Sequence, residues 1–352
     1  VARPQVPARL IEICETVADA DSRGLRARLL DALRGPVPFD AHVWVLTDPE
    51  TAVGTLPLAR VPAALTARLP DLIRTKYLTP TNRWTMLRGS IATLHEAPTA
   101  TDAPADRPWR ETLRRHGIGD VASAAFSDRH GCWAFLDLWC AEDGPPFSAA
   151  ERAVLTEARA QVTAALRRCQ AHAFAARPSP LQQTGPVVLL LSPTLTVLGQ
   201  TPAAPGVLRA LLPTRDDEPI PAAAYNVAAQ LLAVEAGVDR NPPRARVHAE
   251  NGLWLTLRAG RIGDRESPED QAIAVTIERA APAELADLFG RVHGLTERES
   301  ELVHRLCAGG DTRRIATEMS LSTHTVQDHL KSIFTKAAVG SRRELLTRVL
   351  GS

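Results

Sequence analysis

Residues 294–350 read GLTERESELVHRLCAGGDTRRIATEMSLSTHTVQDHLKSIFTKAAVGSRRELLTRVL, and the arrangement of this stretch decides how the chain is to be understood. Thr296 with Glu299, and Ser341 with Glu344, are capping-box pairs: a hydroxyl accepts from the N–H three residues on, while the carboxylate reaches back to the cap. The first pair predicts a helix that starts near Thr296 and stops at Gly309 and Gly310. Asp311 or Thr312 can cap a second helix, which buries Ile315, Ala316 and Met319. After a tight turn through Ser320 and Leu321, Ser322 is a good N-cap for a third helix with Val326, Leu330, Ile333 and Phe334 on one face. The opposite face then carries Thr323, His324, Gln327, Asp328, Lys331 and Thr335.

Two short helices joined by a tight turn, the second with a polar outer face, have the geometry that enters a DNA major groove. The outer residues suit that task. Gln and Lys can bond adenine and guanine edges, Asp can accept from the cytosine amino group, and small hydroxyls suit phosphates. Thr323, His324, Gln327, Asp328 and Lys331 are therefore expected to face bases. Arg313, Arg314, Lys336, Arg342 and Arg343, with the hydroxyls of Ser322 and Thr325, are expected at phosphates. From Gly290 to the end there are ten Lys/Arg against seven Asp/Glu, while the whole chain carries +1. So modest an excess suits a protein that brings two copies to its site. The alternative is a helical bundle whose polar face is only solvated, in a signal-dependent interaction scaffold without productive DNA binding.

The segment resembles the DNA-binding domain of LuxR-type transcriptional regulators. The resemblance rests on Leu295, Thr296, Arg298, Glu299, Gly309, Ile315, Ala316, Ser322, Thr325, Val326, His329, Leu330, Lys331, Ser341, Arg342, Glu344 and Leu345. It implies that the third helix reads double-stranded DNA through Gln327, Asp328 and Lys331. It also implies a homodimer joined by the last helix, through Leu345, Leu346 and Val349, and RNA polymerase as a further partner. The chain departs from the pattern at Arg313 and Arg314, where Lys-Glu is common, and at Val303, where Leu is frequent. Ala338 stands where the pattern has Gly.

With 352 residues and 45% apolar composition, two or three domains are expected. Neither a membrane-spanning run nor a signal peptide is read, so the expectation is a cytoplasmic protein. Cysteines at 14, 132, 140, 169 and 307 share no metal-like spacing and read as reduced, mostly buried thiols. Proline-rich residues 176–186 read as a linker, and Ala281 with Pro282 precedes a short helix. The resulting division is residues 1–176, 184–281 and 290–352.

In the first part, apolar spacing around Leu10, Cys14 and Val17, then Leu25, Leu29 and Leu33, predicts amphipathic helices, and Ala41 to Leu46 predicts a buried strand. Runs 121–126 and 132–139 predict a hairpin, and Ser148 with Glu151 caps an Ala-rich helix to about Ala173. This order, and the wording of residues 38–41 and 131–136, resembles a GAF-like sensory domain of actinobacterial LuxR-type regulators. The middle part predicts a strand at 187–191, a second strand from Thr196 running into a helix, a helix over 222–236, a hairpin about Asn251 and Gly252, and a strand over 272–278. That order resembles a PAS domain, in which Trp254 is core or, with Arg258, lines a pocket. The fold class expected is thus α+β for both sensory modules, with antiparallel sheets and flanking helices, followed by an all-α four-helix domain.

No enzymatic activity is expected. Asp128 and His130 could form an acid–base pair, but no nucleophile elbow or phosphate loop accompanies them, and His95 with Glu96 stands alone before a Pro/Ala/Asp/Thr stretch. His304 with Cys307, and His324 with His329, do not make a zinc set. No cofactor is expected beyond an unidentified small ligand in a GAF-like or PAS-like pocket. The Trp-x-x-x-Tyr and later Asp-Pro pattern of acyl-homoserine-lactone sensors is missing, since Asp48 and Pro49 precede Trp84.

Overall fold

The computed structural model describes residues 8–16, 21–80, 82–87, 89, 91–96, 107–176, 186–211, 220–263 and 271–351. Most of the expected linker and part of the stretch after Glu96 lie outside them.

The first module opens with α1 (Ala8–Thr16) and α2 (Ser22–Leu33), followed by β1 (Ala41–Thr47) and β2 (Gly54–Arg60). Then come α3 (Ala63–Thr66), α4 (Leu69–Leu78), β3 (Ala92–Thr93), α5 (Arg107–Arg115), β4 (Ile118–Asp128), β5 (Gly131–Ala141) and α6 (Ala149–Ala173). The strands form an antiparallel sheet of order β2-β1-β5-β4-β3. Side chains alternate across a strand, so Trp44 and Leu46 pack with α1, α2 and α6 while Val45 packs on the opposite face with Ile73 and Tyr77 of α4. Both faces are covered, which is why these strands read as continuous apolar runs. The Ser148 capping box is complete, with Ser148 Oγ accepting from Glu151 N–H and Glu151 Oε2 accepting from Ser148 N–H at 2.7 Å. All five cysteines are free, and burial pushes the Cys132 and Cys140 thiols up to about 12.

The middle module contains β6 (Val187–Leu191), β7 (Val197–Gln200), α7 (Ala204–Leu211), α8 (Ala222–Glu235), β8 (Arg244–His248), β9 (Trp254–Ile262) and β10 (Ala272–Arg279). Its antiparallel sheet, β7-β6-β10-β9-β8, repeats the strand order of the first. Helix α8 is buried almost all round because it lies between this sheet and the first module, touching β9 on one side and α4 and β2 on the other. Its alanines let both neighbours approach closely. Among the described residues, no helix is long and apolar enough to cross a membrane.

Helix α9 (Pro282–Val292) leads into α10 (Glu297–Cys307), α11 (Thr312–Glu318), α12 (Thr323–Ala337) and α13 (Arg342–Leu350). Pro282 sits in its first turn, where a missing N–H costs nothing, and Glu284 accepts from Ala281 N–H at 3.1 Å. At the junction of all three parts Phe174, just past α6, packs its ring 4.9 Å from that of Trp254 and 5.3 Å from that of Phe289.

Beside this aromatic contact lies a buried charge network. The Arg246 guanidinium donates to both Asp48 carboxylate oxygens at 2.7 Å, to Glu50 at 2.8 Å and to the Glu284 carbonyl at 2.8 Å. The Arg246 and Asp48 side chains are both 0% exposed. Burial works against Asp48 ionising, but the Arg246 hydrogen bonds outweigh it and hold the carboxyl below its ordinary range. Glu284 itself accepts from Arg244, Arg258 and Thr256. Arg258 is therefore engaged with Glu284, while Trp254 packs half-buried against Phe174 and His248 and lines a cavity of about 290 Å³ with Thr55, Gln170 and Arg246. Removing one partner would leave an uncompensated buried charge. Asp48→Ala is accordingly expected to destabilise the chain by about 3–5 kcal/mol in chemical denaturation, whereas Glu50→Ala, at a half-exposed carboxylate, should cost much less.

Candidate nucleic-acid interface

The terminal domain is built on capped helices. Thr296 Oγ1 accepts from Glu299 N–H at 3.3 Å and Glu299 Oε2 accepts from Thr296 N–H at 2.7 Å, completing the expected box at α10. Asp311 caps α11 by accepting from Arg314 N–H, and Ser322 caps α12 by accepting from Thr325 N–H at 3.0 Å. At α13 the box is only half formed. Ser341 accepts from Glu344 N–H at 3.1 Å, but Glu344 turns back to Gly340 N–H at 2.8 Å. Between α11 and α12 the chain reverses through Ser320 at φ 56°, with Leu321 N–H returning to Ala316 O at 2.8 Å.

Val326, Ile333 and Ala337 of α12 are buried in one core with Leu302, Leu306 and Ile315, and Leu330 and Phe334 are half-buried against it. Helical periodicity then turns Thr323, His324, Gln327, Asp328 and Lys331 outward, and all five are exposed. The His324 and Lys331 side chains are 81% and 73% exposed. Lys331 Nζ lies 3.2 Å from Asp328 Oδ1, and His324 Nε2 lies 3.6 Å from Asp328 Oδ2. Ion pairs this exposed are worth about 0–1 kcal/mol, so Lys331 can exchange Asp328 for a base edge at little cost.

The cations expected at phosphates divide by what holds them. Arg313 and Arg343 are exposed, and Arg314 pairs with Glu318 at 2.7 Å while staying 69% exposed. Lys336 instead binds Glu299 Oε2 at 2.6 Å, and the half-buried Arg342 donates to the Gly310 carbonyl. The Ser322 and Thr325 hydroxyls bond each other at 2.9 Å. On α13, Leu345 and Val349 are turned into the domain's own core, leaving Leu346 half-buried at the surface. Asp128 accepts from the His130 backbone N–H, the Trp133 indole and Arg167, so it makes no dyad with the His130 ring.

Residue spacing did not point to the node at Glu299. Besides its cap bond, this 3% exposed carboxylate accepts from Ser332 Oγ at 2.6 Å and from Lys336, fastening α10 to α12. The Ser332 and Lys336 pair at i and i+4, on the flank between the apolar and outer faces of α12, was the signal available. Burial opposes ionisation of Glu299, but these hydrogen bonds prevail and bring it to about 2.

Residues 293–349 match the family described as bacterial regulatory proteins, luxR family. This part of the chain is a LuxR-type helix-turn-helix domain, similar to those of known transcriptional regulators. The transcriptional regulatory protein DesR of Bacillus subtilis (strain 168) is 35% identical over 68 residues, which cover 19% of this chain and 34% of that protein. The probable HTH-type transcriptional regulator GfsR of Streptomyces halstedii is 42% identical over 57 residues, covering 16% of this chain and 24% of that protein. The chain thus matches about a third and a quarter of the length of these two relatives. A solved structure of the Vibrio cholerae VqmA dimer, described among LuxR-type receptors, aligns at 19% identity over 48% of this chain and 83% of that one, with a TM-score of 0.19.

Because the folded Glu299 value is depressed, its contribution is present above the ordinary 4.5 and lost as pH falls toward about 2. Acid titration of stability should show this loss in the native chain and a smaller one in Glu299→Gln. A second expectation concerns Ala338, the C-cap of α12, held at φ 51° and ψ 50°. A left-handed conformation favours glycine, so Ala338→Gly should raise stability by about 0.5–1 kcal/mol in thermal or denaturant unfolding.

Proposed function

We propose that the protein is a sequence-specific, DNA-binding transcriptional regulator that acts as a cytoplasmic homodimer, without enzymatic activity. A GAF-like first module and a PAS-like middle module sense a signal and control the helix-turn-helix domain. The observation that carries this reading is the exposed strip Thr323, His324, Gln327, Asp328 and Lys331 on a helix seated in a LuxR-type domain. Helix α12 enters the major groove, where Gln327, Asp328 and Lys331 meet base edges. Arg313, Arg314 and Arg343 neutralise phosphates. Two copies place their α12 helices about one DNA turn, ~34 Å, apart. The outward side of α13 around Leu346 serves the dimer, and RNA polymerase is the partner through which binding is read out.

Two repeated five-stranded sheets, helix-covered and joined to α9 through Arg246 and Glu284, support the sensory reading. A signal that changes how the modules seat on α9 would change how α12 is presented.

The test is electrophoretic mobility shift on genomic fragments, followed by footprinting of the bound site. Lys331→Ala should weaken binding to the cognate site by about 1–3 kcal/mol and relax preference at one base position. Arg343→Ala should weaken all sequences alike and lower the salt slope by about 1. Failure of the native chain to shift any fragment would favour the interaction-scaffold alternative.

A further inference from the structure

A cavity of about 350 Å³ lies on the seam between the first and middle modules. Its walls are mostly apolar and include three tryptophans, with Val45, Leu58, Ile73, Trp84, Trp109 and Trp139 from the first module. The middle module closes one side through Ile220, Ala222 and Asn226, at and before the start of α8. Such a volume falls in the range of small-molecule sites.

Its polar groups divide into those already satisfied and those left open. Lys76 and Asp137 form a buried pair at 2.9 Å, and Asp137 also accepts from the Trp84 indole at 2.8 Å while Lys76 donates to Ser123 at 3.1 Å. That pair is neutral as a unit and does not call for a counter-charge. By contrast, the indole N–H groups of Trp109 and Trp139, both 1% exposed, have no acceptor among the described residues. Asn226, 2% exposed, donates through Nδ2 to Ala222 O at 2.8 Å, while its Oδ1 has no donor among the described residues. Buried polar atoms without partners are uncommon, and each costs about 1–3 kcal/mol. Here donors and an acceptor of this kind belong to residues lining one apolar space. Arg23 and Arg60, both exposed, are also among its lining residues and bring positive charge to it.

We propose that this cavity binds a hydroxylated aromatic carboxylic acid. The flat ring system lies among the tryptophans, and the carboxylate faces Arg23 and Arg60. The hydroxyl, being donor and acceptor at once, serves Asn226 Oδ1 and an indole N–H. Because Asn226 and Ile220 belong to the middle module, the ligand bridges both modules and not one alone. The proposal deepens the sensory reading above, on which it rests.

The probe is 6-hydroxy-2-naphthoate, whose hydroxyl lies on the ring remote from the carboxylate, titrated into the full chain with tryptophan fluorescence as the readout, since Trp84, Trp109 and Trp139 line the site. Saturable one-to-one quenching is expected. Arg60→Gln, a change at an exposed residue, should weaken this probe by about fivefold while leaving 2-naphthol, which lacks the carboxylate, unaffected. Asn226→Leu should weaken 6-hydroxy-2-naphthoate by about tenfold, toward the affinity of 2-naphthoate, which lacks the hydroxyl. Thermal unfolding checks that this variant is folded, and the Arg60 comparison stands without it. Absence of saturation in the native chain, or binding indifferent to both substitutions, overturns the proposal. Saturable binding that responds to both substitutions but leaves mobility on the cognate DNA unchanged upholds the site and removes the sensory reading.

Discussion

Asp48 and Arg246 are 198 residues apart in sequence and meet as a doubly hydrogen-bonded pair with no solvent exposure on either side chain. Charges taken out of water are tolerable only when every donor and acceptor finds a partner, and a pair missing one member is much worse than either an apolar contact or the intact pair. The Arg246 guanidinium, carried by β8, meets that demand by drawing on two places at once: Asp48 and Glu50 after β1, and the main chain of α9 at Glu284. The two modules and the helix leading to the helix-turn-helix domain are therefore tied through one cation. A rigid displacement of any of them strips a partner from a buried charge, so their positions are coupled by the cost of desolvation.

The terminal domain deals with its polar residues in two ways. Where a polar side chain lies against the apolar seam, as Glu299, Ser332 and Lys336 do, it is bonded inside the domain and holds helices together. Where helical rotation carries it to the far side, as with Gln327 and Lys331, it is left in water with weak neighbours. Arg342 and Arg343 show how narrow the division is. Adjacent in sequence, they differ by about a quarter turn of helix, and that rotation places one against the Gly310 carbonyl and the other in solvent. Ala338 takes the left-handed turn that glycine would take with less strain, and the helix ends there all the same.

Much of the secondary structure was legible because its causes are local. The Ser148 and Thr296 boxes, the Asn251 and Gly252 turn, and the 3.6-residue spacing of Val326, Leu330, Ile333 and Phe334 each act within a few residues. The outward strip on α12 was legible for the same reason. Less visible were β2, whose alternation is interrupted by Pro57, the two-residue β3, and α4 and α5, which lie in a stretch punctuated by prolines. Arg258 could not be placed by inspection, because its engagement with Glu284 depends on how α9 docks on the middle sheet. The same holds for Lys336, whose charge suggested a phosphate contact although packing gives it to Glu299.

The amino-acid order by itself determined the capped helices and most strands, the faces they bury, and the composition of the exposed face of α12. Capping, periodicity and turn chemistry are all settled by neighbours along the chain. Tertiary structure alone decided which cations remain available, since an arginine or lysine looks the same in sequence whether or not a buried carboxylate or carbonyl lies within its reach. It also decided that Asp48 meets Arg246, and that the tryptophans and Asn226 share a cavity. Those are contacts between remote segments, set by the docking of whole sheets and helices, and no local rule contains them.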